Sequence, residues 1–265
     1  KSIFSRTTYK KLDKVNYILI TGNISYSSMV DLLQEYFHPD HGESERHALI
    51  LMPSQPDSNM KYLLQEYQNK LYYFEGDPLK ENDLKRCQFK DASTIIILCN
   101  KQTDDSNAED SKTILQAMAI RRYLVQEDET KKAKKTASET KMLIQLLRPE
   151  SELHFALSIS KKSSYDQILC IDELKLSLLA KSCLCSGITA LISNLIMTSN
   201  LENINPKLLE SNKWLEEYKR GKSYEIYKVQ LDYLRGYKFN EIVEMVYKDK
   251  SIIVFGINVI IINID

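Results

Sequence analysis

The sequence predicts an α/β protein with a Rossmann-like, doubly wound parallel sheet, a helix-turn-helix crossover and a smaller C-terminal α/β lobe. Three observations support this prediction. Short apolar runs recur along the chain, helical segments alternate with them, and the first run leads into a glycine turn followed by a helix. Continuous apolar runs are typical of parallel strands that are covered on both faces. Right-handed crossovers between such strands produce a doubly wound sheet.

The Rossmann-like lobe is predicted to occupy residues 15–171. Its helices show apolar residues at helical spacing, and turn residues separate its strands. Ser25 or Ser27 is placed to cap the first helix, because a serine side chain accepts a hydrogen bond from the free N–H groups of the first turn. The predicted strands are 15–21, 47–52, 70–76, 93–99, 141–147 and 167–171, and the predicted helices are 25–37, 60–68, 81–88 and 112–124.

Two polar segments flank or interrupt this lobe. Residues 1–14 are polar and basic without a clear period, so we interpret them as a tether. Residues 126–140 contain no apolar side chain larger than alanine, which favours a solvated insertion. A basic docking patch is the alternative for that insertion, formed by Lys131, Lys132, Lys134 and Lys135.

The segment 172–199 predicts a pair of apolar helices with a break at Gly187 and Asp172 as the first cap. A helix that is apolar on every side must be buried. Either the core of the chain or a contact with a subunit or another lobe can bury it, and the sequence leaves both open. Residues 200–265 form the smaller lobe, with predicted helices at 213–221 and 240–248 and predicted strands at 223–234 and 251–257.

The composition limits the classes of partner. The 265 residues include 36 basic and 36 acidic residues, so a formal net charge of zero gives no reason to expect nucleic acid as a partner. Five cysteines without a C-x-x-C pair are typical of reduced, buried thiols. The longest apolar run, 251–264, is too short to cross a bilayer, so we expect the chain taken alone to be soluble.

The first glycine turn, "TGNISYSS", does not meet the requirements of a dinucleotide site. Such a site needs further glycines, so that the pyrophosphate approaches the backbone and the helix packs closely. Here only Gly22 is present, and the second strand ends at Met52 and Pro53 without an acid for the ribose. We therefore expect no NAD and no enzymatic activity. No nucleotide-binding P-loop, serine-hydrolase or zinc-protease motif is present to change that expectation.

Histidine and cysteine give weak signals. His38 and His41 form an H-x-x-H pair around Asp40, but they lie in a proline and glycine turn, and an exposed loop is the favoured interpretation. Cys183 and Cys185 alternate within a predicted helix, so they face different sides and are not expected to share a metal.

The strongest polar signal is the loop "NKQTDDSNAEDS" between a buried strand and a helix, with Asp104, Asp105, Glu109 and Asp110. Loops at the carboxyl ends of parallel strands are where open α/β sheets bind ligands. Calcium takes six to eight oxygen ligands, and these carboxylates would supply part of them. The alternative is that the acids simply favour a helix N-terminus through its dipole. Composition alone favours this alternative.

Three stretches carry a resemblance to a known family. Residues 71–115, "LYYFEGDPLKENDLKRCQFKDASTIIILCNKQTDDSNAEDSKTIL", and residues 172–199, "DELKLSLLAKSCLCSGITALISNLIMTS", resemble the first RCK (regulator of potassium conductance) domain of Slo-type, BK-like calcium-activated potassium channels. The "TGNIS" turn is similar to that family as well. The resemblance runs from about Val15 to Ile257. The stretch "LLRPESELHF" is more similar to the sodium-activated branch.

The resemblance implies a cytosolic regulatory domain of an integral membrane channel. In that family each subunit carries two RCK domains after its pore helices, and four subunits assemble a gating ring. Ligand binding expands the ring and pulls on the linker to the pore gate. The tether 1–14 would lead from the pore, the helix pair 172–199 would dimerise with another RCK domain, and the helix 112–124 would lie between neighbouring domains.

The resemblance also implies a calcium site. The family's loop acids correspond to Asp105 and Asp110, its distant glutamate corresponds to Glu225, and Ser223 would offer a backbone carbonyl. Calcium would then tie the large lobe to the small one. The alternatives are a nucleotide-sensing subunit of a potassium transporter, a degenerate oxidoreductase and a structural RCK domain without a ligand.

Overall fold

A computed structural model describes residues 4, 7–12, 15–39, 45–128, 140–158, 166–197, 212–222, 226–227, 229 and 232–256. In these residues six strands form a single sheet in the order β3-β2-β1-β4-β5-β6, and every neighbouring pair is parallel. The doubly wound parallel sheet predicted from the sequence is confirmed. The strands are β1 (Asn16–Gly22), β2 (Arg46–Met52), β3 (Leu71–Glu75), β4 (Thr94–Leu98), β5 (Lys141–Leu146) and β6 (Gln167–Cys170).

The helices follow the strands along the chain. Those of the sheet lobe are α1 (Tyr26–Tyr36), α2 (Ser58–Glu66), α3 (Glu81–Arg86), α4 (Ser106–Asp128) and α5 (Pro149–Ser158). The crossover helices are α6 (Ile171–Leu184) and α7 (Ile188–Ile196), and the C-terminal helices are α8 (Lys213–Lys222) and α9 (Phe239–Lys250). Short 3-10 turns occupy Phe89–Asp91 and Asp232–Leu234.

Two apolar clusters cover the two faces of the sheet because side chains alternate along each strand. In β1, Ile18 and Ile20 pack with the helices α1 and α2. Leu19, between them, packs on the opposite face with α3, α4 and α5. Each fully buried leucine or isoleucine stabilises the fold by about 1.5–3 kcal/mol relative to an exposed one.

Gly22 ends β1 in a conformation that only glycine adopts readily. Its φ is +99°, and a Cβ atom added there would lie 2.1 Å from the backbone oxygen of Leu98. The following N–H, of Asn23, donates to the same oxygen at 2.8 Å. Ser25 then caps α1 by accepting from the N–H of Ser28, as predicted.

Some predicted elements differ from the structure. The helix α4 begins at Ser106, earlier than predicted, and the helix α5 was not predicted at all. Asp172 is not the cap of α6, because the helix starts one residue before it, after Cys170. There Asp172 lies in the first turn, where a negative charge is also favourable.

The predicted C-terminal strands are wrong for those residues of 223–234 and 251–257 that the structure describes. Residues 251–256 have no strand pairing, and Asp232–Leu234 form a 3-10 turn. β-branched and aromatic residues suit a half-buried sheet surface, but they form a strand only where a partner strand is available. The predicted helices there are confirmed as α8 and α9. In the described part of the chain, no helix is both long enough and apolar enough to cross a membrane.

Candidate functional site

Asp105 is the N-cap of α4. Its Oδ1 atom accepts hydrogen bonds of 3.1 Å from the N–H groups of Asn107 and Ala108. These are orphan donors of the first turn, and an acidic cap also complements the helix dipole. The side chain is exposed, so its second oxygen remains accessible to solvent. The helix starts early because the loop sequence itself supplies this cap.

Asp110 lies one turn further along α4 and is almost completely buried. Its Oδ1 accepts from the N–H of Leu147 at 2.8 Å. Its Oδ2 accepts from the N–H of Arg148 at 3.0 Å and from the hydroxyl of Ser151 at 2.7 Å. The carboxylate therefore fastens α4 to the turn between β5 and α5.

Glu109 and Gln145 organise the neighbouring end of β4. Glu109 accepts from the N–H of Asn100 at 2.8 Å, and Gln145 accepts from the N–H of Cys99 at 3.3 Å. Burial, helped by the charge of Asp110, raises the pKa of the Cys99 thiol to about 11. Cys99 is therefore a neutral thiol at physiological pH. Of the five cysteines, Cys87, Cys99 and Cys170 are buried as predicted, whereas Cys183 and Cys185 are exposed.

The structure describes two of the four predicted calcium ligands. Asp105 caps α4 and is exposed, whereas Asp110 lies within α4 and is buried, and the two carboxylates accept from different donors. Glu225 and Ser223 lie outside the described residues, as do Asp40 and His41 of the histidine pair. Among the described residues, no three His, Cys, Asp or Glu side chains are grouped so as to hold a metal ion. The calcium site stays a prediction.

One residue, Leu147, connects the acidic loop to the crossover helices. The N–H of Leu147 donates to Asp110, while the carbonyl of Leu147 accepts from the N–H of Asp172 at 3.2 Å. The same carbonyl accepts from the Cys170 thiol at 3.2 Å. A movement of the Asp110 carboxylate would therefore reach the start of α6 through a single residue.

The helices α6 and α7 expose their apolar side chains. None of the residues of either helix is buried, so burial of this pair by the chain's own core is wrong for the described residues. Gly187 makes the predicted break with a φ of +86°. The most exposed large side chains in and next to the pair are Leu174, Leu176, Leu179, Leu184, Leu191, Ile196 and Met197, at 52–83% exposure. Such a surface is typical of a protein contact.

The described N-terminal residues, 4 and 7–12, are docked on the sheet, and Arg86 holds them. We call them the N-terminal segment. The guanidinium of Arg86 donates to the carbonyls of Phe4 (2.9 Å), Thr7 (3.1 Å) and Glu75 (3.1 Å). The N–H of Tyr9 donates to the carbonyl of Arg86 at 2.9 Å. An ion pair with Asp83 at 2.9 Å fixes the guanidinium in place.

Tyr9 anchors the N-terminal segment to β2 as well. Its hydroxyl and Nδ1 of His47 lie 2.7 Å apart, and both residues are buried. Burial lowers the pKa of His47 and raises the pKa of Tyr9 to about 12. At neutral pH the phenol is protonated and the imidazole is neutral, so the tautomer of His47 decides which of the two atoms donates. No local sequence pattern pairs His47 with Tyr9, because the two residues are 38 positions apart.

The structure also contains a buried ion pair, between Arg121 and Asp166, that the sequence did not predict. It joins α4 to the residue that precedes β6. Asp166 also accepts from the N–H of Met142, and Arg121 also donates to the carbonyl of Thr140. Burial lowers the pKa of Arg121, and the neighbouring Asp166 opposes that shift.

Comparisons with known proteins agree with this architecture. The family model described as the calcium-activated potassium channel slowpoke-like RCK domain matches residues 13–163, and the model of the calcium-activated BK potassium channel alpha subunit matches residues 166–257. Calcium-activated potassium channel slo-1 of Caenorhabditis elegans is 25% identical over 252 residues, which cover 94% of this chain and 20% of that protein. Calcium-activated potassium channel slowpoke of Drosophila melanogaster is 24% identical over 246 residues, 92% of this chain and 19% of that protein.

The chain thus spans about a fifth of the length of these curated relatives. Among solved structures, the human SLO3 gating ring matches with a TM-score of 0.63 and 21% identity. That match covers 88% of this chain and 37% of the other. The likeness supports the fold.

Proposed function

The chain belongs to the slowpoke-like RCK domains of calcium-activated potassium channels, and from this we propose that it is a cytosolic regulatory domain, and not an enzyme, that senses calcium and acts on a pore gate. The observation that supports the proposal best is the link from the acidic loop to α6. Asp110 holds the N–H of Leu147, and the carbonyl of Leu147 holds the start of α6.

Calcium binds at this loop with Asp105 as its exposed carboxylate in our proposal. Glu225 and the carbonyl of Ser223 complete the site from the smaller lobe, as the family resemblance implies. Three of the about four lone-pair sites of the Asp110 carboxylate accept from protein donors, and the remaining site is on Oδ1, which also accepts from the N–H of Leu147. A cation at Oδ1 therefore weakens the hydrogen bond from Leu147. Binding therefore loosens or shifts the β5–α5 turn.

That shift reaches the exposed helix pair through Leu147. We propose that α6 and α7 pack against a second RCK domain in a tetrameric gating ring, which buries their leucines. A conformational change at the loop then alters the contact between domains. Calcium can stabilise one conformation over the other only by the difference in its binding free energy to the two. The force would leave the lobe through the N-terminal segment, which Arg86 fastens to the sheet.

Calorimetric titration with calcium tests the sensor. Asp105→Asn keeps a side chain that caps helices as well as aspartate, so it removes the charge without removing the cap. We expect at least tenfold weaker calcium binding for Asp105→Asn and for Glu225→Gln. Glu173→Gln, which removes an exposed acid from α6, is the matched control and should bind as the unchanged chain does.

Equal affinity in Asp105→Asn and the unchanged chain would remove this loop from the site. A structural RCK domain without a ligand is the second candidate function. It is favoured by the complete set of donors around Asp110, which gives that carboxylate a structural role without any cation. If the unchanged chain binds no calcium at millimolar concentration, the structural role is supported and the sensor proposal is wrong.

A further inference from the structure

A groove of about 620 Å³ runs between the N-terminal segment, α2 and β3. It lies at the sheet edge formed by β3, on the side away from β4 and the acidic loop. Its volume is in the range of pockets that hold one small ligand. Among the described residues, neither Asp105 and Asp110 nor the crossover helices contribute to it.

The wall of the groove is mainly apolar. The N-terminal segment contributes Phe4 and Leu12, α2 contributes Leu64, and β3 contributes Leu71. Leu12 is 55% exposed although it faces this apolar surface, so an apolar ligand would remove it from water. The ring of Phe4 packs edge-on against Tyr73 with centroids 5.7 Å apart, and both rings line the groove.

The described residues that line the groove carry charge of one sign. Within the described part of the chain, its lining includes two lysines, Lys10 and Lys61, and no acidic residue. They come from two different elements, the N-terminal segment and α2. Both lysines are exposed, and a lysine typically keeps its ammonium group in water while its stem lies along apolar surface. This pattern complements a molecule with an apolar body and an anionic head.

We propose that this groove binds a single-chain amphiphile with a carboxylate head, of the fatty acid class. The chain lies along Leu64 and Leu71, and the carboxylate lies between Lys10 and Lys61. We choose a free single-chain acid as the ligand because a volume of about 620 Å³ is in the range of pockets that hold one small ligand. Because the ligand touches the N-terminal segment and α2 together, it stabilises the docked state of that segment.

The consequence for gating rests on the proposed function, whereas the binding does not. If the N-terminal segment carries force to a pore, a bound amphiphile would resist its release from the sheet. The binding experiment below succeeds or fails regardless of whether calcium binds at the acidic loop. The two proposals are therefore separable.

Calorimetry with sodium decanoate below its micelle concentration tests the site on the 265-residue chain. We expect saturable binding that weakens roughly fivefold or more in Lys10→Gln/Lys61→Gln, because each exposed ion pair contributes a modest amount. The matched control is Lys101→Gln/Lys112→Gln, which removes the same charge near the acidic loop. Decyltrimethylammonium has a similar chain with the opposite charge, and acetate has the charge without the chain, so neither should bind.

A decanoate analogue with a diazirine on its chain locates the site. We expect its cross-links within residues 4–12 and 60–74, and fewer of them in Leu12→Ser. Cross-links on the exposed helices 171–197 would overturn the proposal, because they would show nonspecific attachment to apolar surface. Equal binding of decanoate and decyltrimethylammonium would overturn it too, as would the absence of saturable decanoate binding.

Discussion

The carboxylate of Asp110 accepts a hydrogen bond of 2.7 Å from the hydroxyl of Ser151, which joins the start of α4 to the first turn of α5. Asp110→Asn places an amide group among three donors, so at least one of them loses its acceptor. We expect the free energy of unfolding to fall by about 2–4 kcal/mol, because a hydrogen bond to a buried charge contributes about 1.5–3 kcal/mol. Urea denaturation measures it.

Asp105→Asn is the control for that loss. Its free energy of unfolding should stay within about 0.5 kcal/mol of the unchanged chain, since asparagine caps a helix as well as aspartate does. Equal losses in the two variants would contradict the separate roles assigned to these acids.

The Tyr9–His47 pair predicts a loss of stability in acid. The folded chain holds the pKa of His47 below its ordinary value of 6.5, so the unfolded chain binds the proton more tightly. The contribution is fully present above pH 6.5 and falls as the pH drops from 6.5 towards the folded-state pKa. The slope is at most about 1.4 kcal/mol per pH unit for one proton.

The difference between the unchanged chain and His47→Gln isolates that contribution from the carboxylates. We expect the gap in unfolding free energy between the two to narrow between pH 7 and pH 5. A gap that does not change with pH would show that His47 is not the group that titrates.

Arg86→Lys should release the N-terminal segment. Lysine keeps the charge but lacks the planar fork that reaches the carbonyls of Phe4 and Thr7 together. Tryptic cleavage after Lys10 and Lys11, followed by mass spectrometry, should become roughly fivefold faster, which corresponds to the loss of about one net hydrogen bond. Lys85→Gln, at the neighbouring exposed position, should cleave at the unchanged rate. If Arg86→Lys is cleaved no faster than the unchanged chain, the contacts of Tyr9 are sufficient to hold the segment.

The buried pair Arg121–Asp166 predicts strong coupling between two substitutions. Arg121→Met alone leaves a buried carboxylate without its cation and should cost about 3–5 kcal/mol of unfolding free energy. Asp166→Asn in the same chain should recover part of that loss, because the uncompensated charge is gone. A double-mutant cycle from thermal and urea unfolding gives the coupling energy, and simple additivity would contradict the assignment.

The strands of the sheet were predictable because each is a short apolar run between turn residues. The helix α5 carried a usable signal too, since Pro149 suits the first helical position and Glu150 and Glu152 suit the first turn. By contrast, no local pattern marks the pairing of Arg121 with Asp166, which are 45 residues apart. The hydrogen bonds of Asp110 were equally unpredictable, because their donors lie at the end of β5 and the start of α5, far along the chain from α4.

The location of the candidate site was predictable in part. Acidic residues after a buried strand indicated the right edge of the sheet. The sequence could not separate Asp105 from Asp110, because that difference depends on whether α5 covers the side chain.

The leucine-rich surfaces of α6 and α7 have a consequence for how the protein is made. A chain synthesised in excess of its partners keeps these leucines in water, and such surfaces attract chaperones and one another. If a second RCK domain covers the pair, as proposed above, the relative amounts of the two domains will affect how much of the chain stays soluble. Coexpression with the second RCK domain that we propose as the partner of the helix pair should raise the yield of soluble material.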